Sequence, residues 1–78
     1  SMTMQIPEEH ERPELQHERP ELQIGGEDGN AYMIIGRASK AWRGAGLPAE
    51  AWKEIEREMV SGDYDHLINT VMKHFDTE

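Results

Sequence analysis

The four histidines come first among residues that could do chemistry, because a neutral imidazole can hold a metal ion or take up a proton. They occupy positions 10, 17, 66 and 74. Helical spacing separates His66 from His74 by about 12 Å along a helix axis, whereas zinc–nitrogen bonds measure about 2 Å. The segment Asp63-Tyr64-Asp65 resembles the start of a calcium loop, but the glycine and the bidentate glutamate of such a loop are missing. The chain also has no Cys, so we predict no metal site and no cofactor.

The hydroxyl groups that could act as nucleophiles belong to Ser39, Ser61 and Thr70. Their spacing from the histidines is not that of a catalytic triad, which needs a nucleophile, a base and a group that orients the base. The glycine-rich segment 25–29 precedes a predicted helix, as phosphate-binding loops do. It lacks the lysine of such loops, and its two acids would repel a phosphate. A chain of 78 residues also buries too small a core for a deep substrate cleft. We therefore predict that the protein is not an enzyme.

The sequence favours a binding function over catalysis, and the main evidence for it is a stretch of basic residues in the first predicted helix. Arg37, Lys40 and Arg43 follow one another at helical spacing, with no acid between Asn30 and Ala49. The same outward side of the predicted helix carries an aromatic residue, a methionine and a glycine. Arginine and aromatic side chains supply much of the binding energy at protein interfaces. We predict that the partner-binding site consists of Tyr32, Met33, Gly36, Arg37, Lys40 and Arg43.

The charge balance bears on the kind of partner. Sixteen acidic side chains against eight basic ones give a formal net charge of −8. The field of the whole protein therefore opposes binding to phosphate backbones, although the basic helix alone would favour it. We predict a small interaction protein that binds and modulates another protein. The alternative is a small nucleic-acid-binding or regulatory module that uses the basic face of the first helix.

Apolar residues after position 29 recur at intervals of three and four, which predicts amphipathic helices. We expect the first helix to run from about Asn30 to Ala45, with glycines at its end. The second helix should start with Pro48 as its first residue and end at Gly62 in the left-handed conformation. Asp63 should then cap the third helix.

Three such helices joined by short connections can bury their apolar faces only in a compact all-α three-helix bundle, here over residues 29–76. The predicted inner faces hold Ala31, Ile34, Ile35, Ala38, Trp42 and Ala45 in the first helix, Ala51, Trp52, Ile55 and Met59 in the second, and Tyr64, Leu67, Ile68, Val71, Met72 and Phe75 in the third. The centre of the core is predicted at Trp42, Trp52, Ile55, Leu67, Val71 and Phe75. Residues 32–35 could alternatively form a short strand.

Residues 1–28 are predicted to be a disordered acidic tail. This part of the chain has three of the four prolines and no aromatic residue, so it offers little apolar surface to offset the entropy of ordering. It contains a perfect tandem repeat, His-Glu-Arg-Pro-Glu-Leu-Gln, at 10–16 and again at 17–23. The repeat is explained either as a duplication in a flexible tail or as a bivalent linear motif. The tail could also fold back onto the basic helix.

No apolar run approaches the length of about 18 residues that a membrane span needs, and no signal peptide is visible. We therefore expect no membrane association and a cytoplasmic location. The oligomeric state stays open, because a core this small often gains stability from pairing.

Four stretches of the sequence carry a resemblance to known proteins: Asp28-Gly29-Asn30-Ala31, Ile35-Gly36, residues 41–46, and Ser61-Gly62-Asp63-Tyr64-Asp65-His66-Leu67. Over residues 28–75 the chain resembles a set of small uncharacterised helical proteins of phages, plasmids and their bacterial hosts. The resemblance implies a helical fold and a mobile-element setting, and it implies no active site. In that setting, we predict that the interaction protein is a phage or plasmid accessory factor that binds and modulates a host protein.

Overall fold

A computed structural model describes residues 19–25 and 29–77 of the chain. In chain order these residues form a two-residue strand β1 (Glu21–Leu22), the helices α1 (Ala31–Gly44), α2 (Ala49–Met59) and α3 (Tyr64–His74), and a second short strand β2 (Asp76–Thr77). The predicted three-helix bundle is confirmed. Residues 32–35 belong to α1, so the alternative of a strand at this position is wrong.

Two of the three helices begin at a polar side chain that satisfies a free backbone N–H group. The side chain of Asn30 accepts a hydrogen bond from the Met33 N–H at 2.9 Å, and that of Asp63 accepts one from the His66 N–H at 2.9 Å. The predicted cap at Asp63 is thus confirmed. Pro48, expected as the first residue of α2, instead occupies the cap position just before the helix, without a side-chain hydrogen bond.

The ends of α1 and α2 use their glycines differently. Gly46 has φ 75°, and this left-handed residue lets the Leu47 N–H donate to the Trp42 carbonyl at 3.3 Å. The expected left-handed Gly62 at the end of α2 is wrong: the cap of that helix is Val60, with φ −96°. Gly46 alone has a positive φ among the glycines of residues 19–25 and 29–77.

The hydrophobic core lies between the three helices and the first strand. Its buried members are Leu22, Ile34, Ala38, Trp42, Trp52, Ile55, Met59, Leu67, Val71 and Phe75. The Trp42 and Phe75 rings meet edge to face with centroids 5.9 Å apart. The indole N–H of Trp42 donates to the Pro48 carbonyl at 2.7 Å, which ties α1 to the start of α2. All six residues predicted at the centre of the core are buried, whereas Ala45 is exposed at the end of α1.

The buried face of α3 differs from the predicted one. Tyr64 and Met72 were expected inside, but 48% and 45% of their surfaces are exposed. Thr70 and His74 are buried instead. His74 lies toward α2, whose Glu58 approaches it at 3.6 Å, so packing against α2 buries a part of α3 outside the expected stripe. The Thr70 hydroxyl can be buried because it donates to the His66 carbonyl at 2.8 Å.

Residues 19–25 correct the prediction of a disordered tail for that part of the chain. Strand β1 pairs in parallel with β2, with Glu21 opposite Asp76 and Leu22 opposite Thr77. Leu22 is only 6% exposed and belongs to the core. The rest of the predicted tail, including the first copy of the repeat, lies outside the described residues.

Candidate partner-binding surface

The residues predicted to bind a partner all lie on one side of α1. At about 100° per residue they span about 140° of the helix circumference, opposite the buried Ile34, Ala38 and Trp42. Tyr32 is 87% exposed and Met33 is 39% exposed. We call this surface the α1 outer face, and it consists of Tyr32, Met33, Gly36, Arg37, Lys40 and Arg43.

The cations of the α1 outer face have no carboxylate partner within the part of the chain that the structure describes. Neither Arg37, Lys40 nor Arg43 forms an ion pair there. On α2, by contrast, Arg57 lies 2.8 Å from Glu54 of the same helix. Within the described residues the positive charge of α1 is therefore not neutralised by a carboxylate, whereas part of the charge of α2 is neutralised locally.

One edge of the α1 outer face borders a groove beside β1. The groove has a volume of about 500 Å³, and its lining includes Arg37 and Lys40 on one side and Glu21, Gln23 and Gly25 on the other. Glu21, Gln23 and Gly25 of the predicted tail thus lie beside the basic helix. No ion pair joins Glu21 to these bases, so this segment does not neutralise the charge of Arg37 and Lys40.

The other edge of the α1 outer face borders an apolar groove of about 360 Å³, where the start of α1 meets the turn between α2 and α3. Its lining includes Tyr32, Val60 and Tyr64, and Val60 is 58% exposed. The helical spacing predicts Tyr64 in the core and gives no role to Val60. The Tyr64 hydroxyl donates to the Gly29 carbonyl. The hydroxyl group of a tyrosine usually needs a hydrogen-bond partner, and this property could have indicated from the sequence that Tyr64 lies at the surface.

A serine and a histidine meet at the turn between α2 and α3, but their hydrogen bonds do not suit catalysis. The Ser61 Oγ and the His66 Nε2 lie 3.1 Å apart. Both also contact the Glu58 carbonyl oxygen, each at 2.8 Å. A carbonyl oxygen only accepts, so both groups donate to it, and a protonated Nε2 cannot take the proton of Ser61. The pair caps the end of α2.

Glu58 also connects α2 to α3 through its side chain. Its Oε2 lies 2.6 Å from the Lys73 Nζ, and its Oε1 lies 3.6 Å from the Nε2 of the buried His74. The hydrogen bond from Lys73, more than the neighbouring His74, lowers the pKa of Glu58 below its ordinary value of 4.5, although partial burial acts in the opposite direction. This arrangement stabilises the packing of two helices.

Residues 19–25 and 29–77 contain no group of three histidines or acids that could hold a metal ion together. None of the three helices is long and apolar enough to cross a membrane. No protein-family model matches the chain, and neither a curated protein nor a solved structure matches it significantly. A proposal on function therefore rests on the surfaces of the protein itself.

Proposed function

We propose that this protein is a non-enzymatic interaction protein that binds a partner protein through the α1 outer face. The observation that carries the proposal is Tyr32, which is 87% exposed beside three cations that form no ion pair within residues 19–25 and 29–77. A ring in water contributes little to the stability of the fold. At an interface, tyrosine and arginine are the residue types that most often dominate the binding energy.

The chemistry of the α1 outer face defines what the partner must present. Its three bases call for an acidic surface, and Tyr32 with Met33 calls for an adjoining apolar pocket. The apolar groove at Val60 and Tyr64 extends the contact beyond α1. We infer that the partner is a cytoplasmic host protein, and that the protein modulates it as an accessory factor of a phage or plasmid.

The second candidate function is nucleic-acid binding, which Arg37, Lys40 and Arg43 favour because no described carboxylate pairs with them. Three cations along one helix face can each neutralise a phosphate. The formal net charge of −8 works against this function, because the rest of the molecule repels the same phosphates. For this reason we rank a protein partner first.

A capture experiment from a bacterial lysate, with and without nuclease, tests the proposal. The variant Arg37→Glu/Arg43→Glu reverses the charge of the α1 outer face. The matched control Lys53→Glu/Arg57→Glu makes the same change in net charge on exposed positions of α2. We expect the wild type and the control to retain the same partner after nuclease treatment, and the α1 variant to lose it.

Two outcomes contradict the proposal. If the α1 variant captures that partner normally at low and high salt, the binding surface lies elsewhere. If all capture disappears with nuclease, the alternative function replaces the proposed one.

A further inference from the structure

The tandem repeat is the feature of the sequence that the proposed function leaves unused. Its two copies, residues 10–16 and 17–23, are identical at every position. Residues 19–23 of the second copy are described by the structure, and they are docked on the end of α3. The contacts of these residues show what the docking site requires of the segment that fills it.

Arg19 makes the most numerous of these contacts. Its guanidinium donates hydrogen bonds to the carbonyl groups of Met72, Lys73 and Phe75, and its Nε donates to the Asp76 carboxylate at 3.0 Å. The last carbonyl groups of a helix have no partner within the helix and carry a partial negative charge. A guanidinium can satisfy several of them at once because its five N–H groups diverge in one plane.

The residues after Arg19 complete the docked segment. The Pro20 carbonyl accepts a hydrogen bond from the Asp76 N–H at 2.9 Å, and Leu22 is buried in the core. Glu21 between them is exposed. The site therefore requires an arginine, a proline directly after it and a leucine three residues after the arginine.

We propose that residues 72–77, which comprise the end of α3 and strand β2, form a peptide-docking site for the sequence Arg-Pro-Glu-Leu, and that the first copy of the repeat replaces the second copy in this site within the same chain. Arg12, Pro13 and Leu15 are the same residue types at the same spacing as the docked residues. They can therefore make the same hydrogen bonds and bury the same side chain.

Two differences between the arrangements, one in the connection to α1 and one in an apolar contact, disfavour docking of the first copy. Docking the first copy lengthens the connection by one repeat and so roughly doubles it, which disfavours that arrangement by a factor of about three. Ile24 packs on the core in the observed arrangement, and His17 would take its place after exchange. Both differences favour the second copy, so the first copy is the minor occupant in the wild type.

The exchange would change the groove beside α1. In the observed arrangement Gly25 lines this groove together with Arg37 and Lys40. One repeat earlier in the sequence the corresponding residue is Glu18, so docking of the first copy would bring a carboxylate to the two bases. The exchange would then lower the positive charge available on the α1 outer face, a consequence that rests on the proposed function.

Amide NMR shifts of Asp76 and Thr77 in the free full-length protein test the exchange without any partner. The variant Arg19→Ala/Leu22→Ala disables the second copy, Arg12→Ala/Leu15→Ala disables the first, and a fourfold variant disables both. We expect the two amides to keep wild-type shifts in either double variant, independently of protein concentration, and to move only in the fourfold variant. The Val71 amide, inside α3, reports in each case that the bundle is folded.

The proposal is overturned if disabling the second copy alone moves the Asp76 and Thr77 signals as far as the fourfold variant does. It is also overturned if retention of these signals depends on protein concentration, because the occupant would then come from another molecule. If the fourfold variant does not fold, the same amide shifts are compared between Arg19→Ala and Arg12→Ala/Arg19→Ala, which keep Leu15 and Leu22. The proposal then predicts wild-type shifts in the first variant and moved shifts in the second, and it is overturned if both variants move equally.

Discussion

Gly62 and His66 lie so close together that a Cβ atom on Gly62 would stand 2.8 Å from the Cγ of the His66 ring. The ring is held in this place because its Nε2 lies 2.8 Å from the Glu58 carbonyl oxygen. The backbone of Gly62 has no positive φ. Glycine is therefore required at this turn for space, and not for a left-handed conformation.

The variant Gly62→Ala should be destabilised by about 1–3 kcal/mol, because the added methyl group has to displace the imidazole. Urea denaturation measures the loss. The double variant Gly62→Ala/His66→Ala should show no further loss beyond His66→Ala alone. Gly36→Ala is the matched control: a Cβ there meets no atom within 4 Å, so alanine should stabilise α1 by about 0.5–1 kcal/mol. Equal effects at the two glycines would contradict the steric account.

Leu67 tests the position of the core. It is 4% exposed, and Leu67→Ala should lower the free energy of unfolding by about 2–5 kcal/mol through lost burial and a cavity. The control Met72→Ala, on the same helix but 45% exposed, should change it by less than about 1 kcal/mol. Similar denaturation midpoints for the two variants would mean that the inner face of α3 is assigned wrongly.

The ion pair of Glu58 with Lys73 predicts a specific dependence of stability on pH. The pKa of Glu58 is lower in the folded protein than its ordinary value of 4.5, first because of the hydrogen bond from Lys73. The pair therefore stabilises the fold fully above pH 4.5, and this contribution is lost as the pH falls through the lowered pKa.

Lys73→Met removes that hydrogen bond, so its deficit against the wild type should be largest at pH 7 and should shrink below pH 4.5. Both side chains are about one-third exposed, so solvent screening keeps the effect small. Denaturation curves at pH 7 and pH 3 measure it, with Lys53→Met as the control for removal of an exposed lysine. A deficit that is the same at both pH values would rule out the pair as its source.

The helices and the centre of the core were predictable because their signals are local. Stripes at helical spacing, the cap at Asp63 and the glycine at position 46 lie within a few residues of what they determine. The docked segment was not predictable in this way. Leu22 lies between Glu21 and Gln23 with only Ile24 as a nearby apolar side chain, and its strand partner Thr77 is at the opposite end of the described chain.

Like the fold, the candidate site was predictable only where its signals are local. The spacing of Tyr32, Arg37 and Arg43 suffices to place them on one outward side of a helix. The grooves beside them depend on contacts between distant parts of the chain, such as β1 beside Lys40 and Val60 beside Tyr32. No local pattern encodes those contacts. For Gly62 the sequence showed that a glycine was present but not whether space or conformation required it.

Site-specific photocrosslinking in bacterial cells tests most directly whether the α1 outer face binds a partner protein. A photoreactive amino acid is placed singly at Tyr32, at Lys40, or at the exposed Lys53 on α2 as the control position. The account predicts that the two α1 positions crosslink to one and the same protein, with a product that resists nuclease, and that Lys53 yields none. Crosslinks to that protein from Lys53 alone, with none from α1, would contradict it.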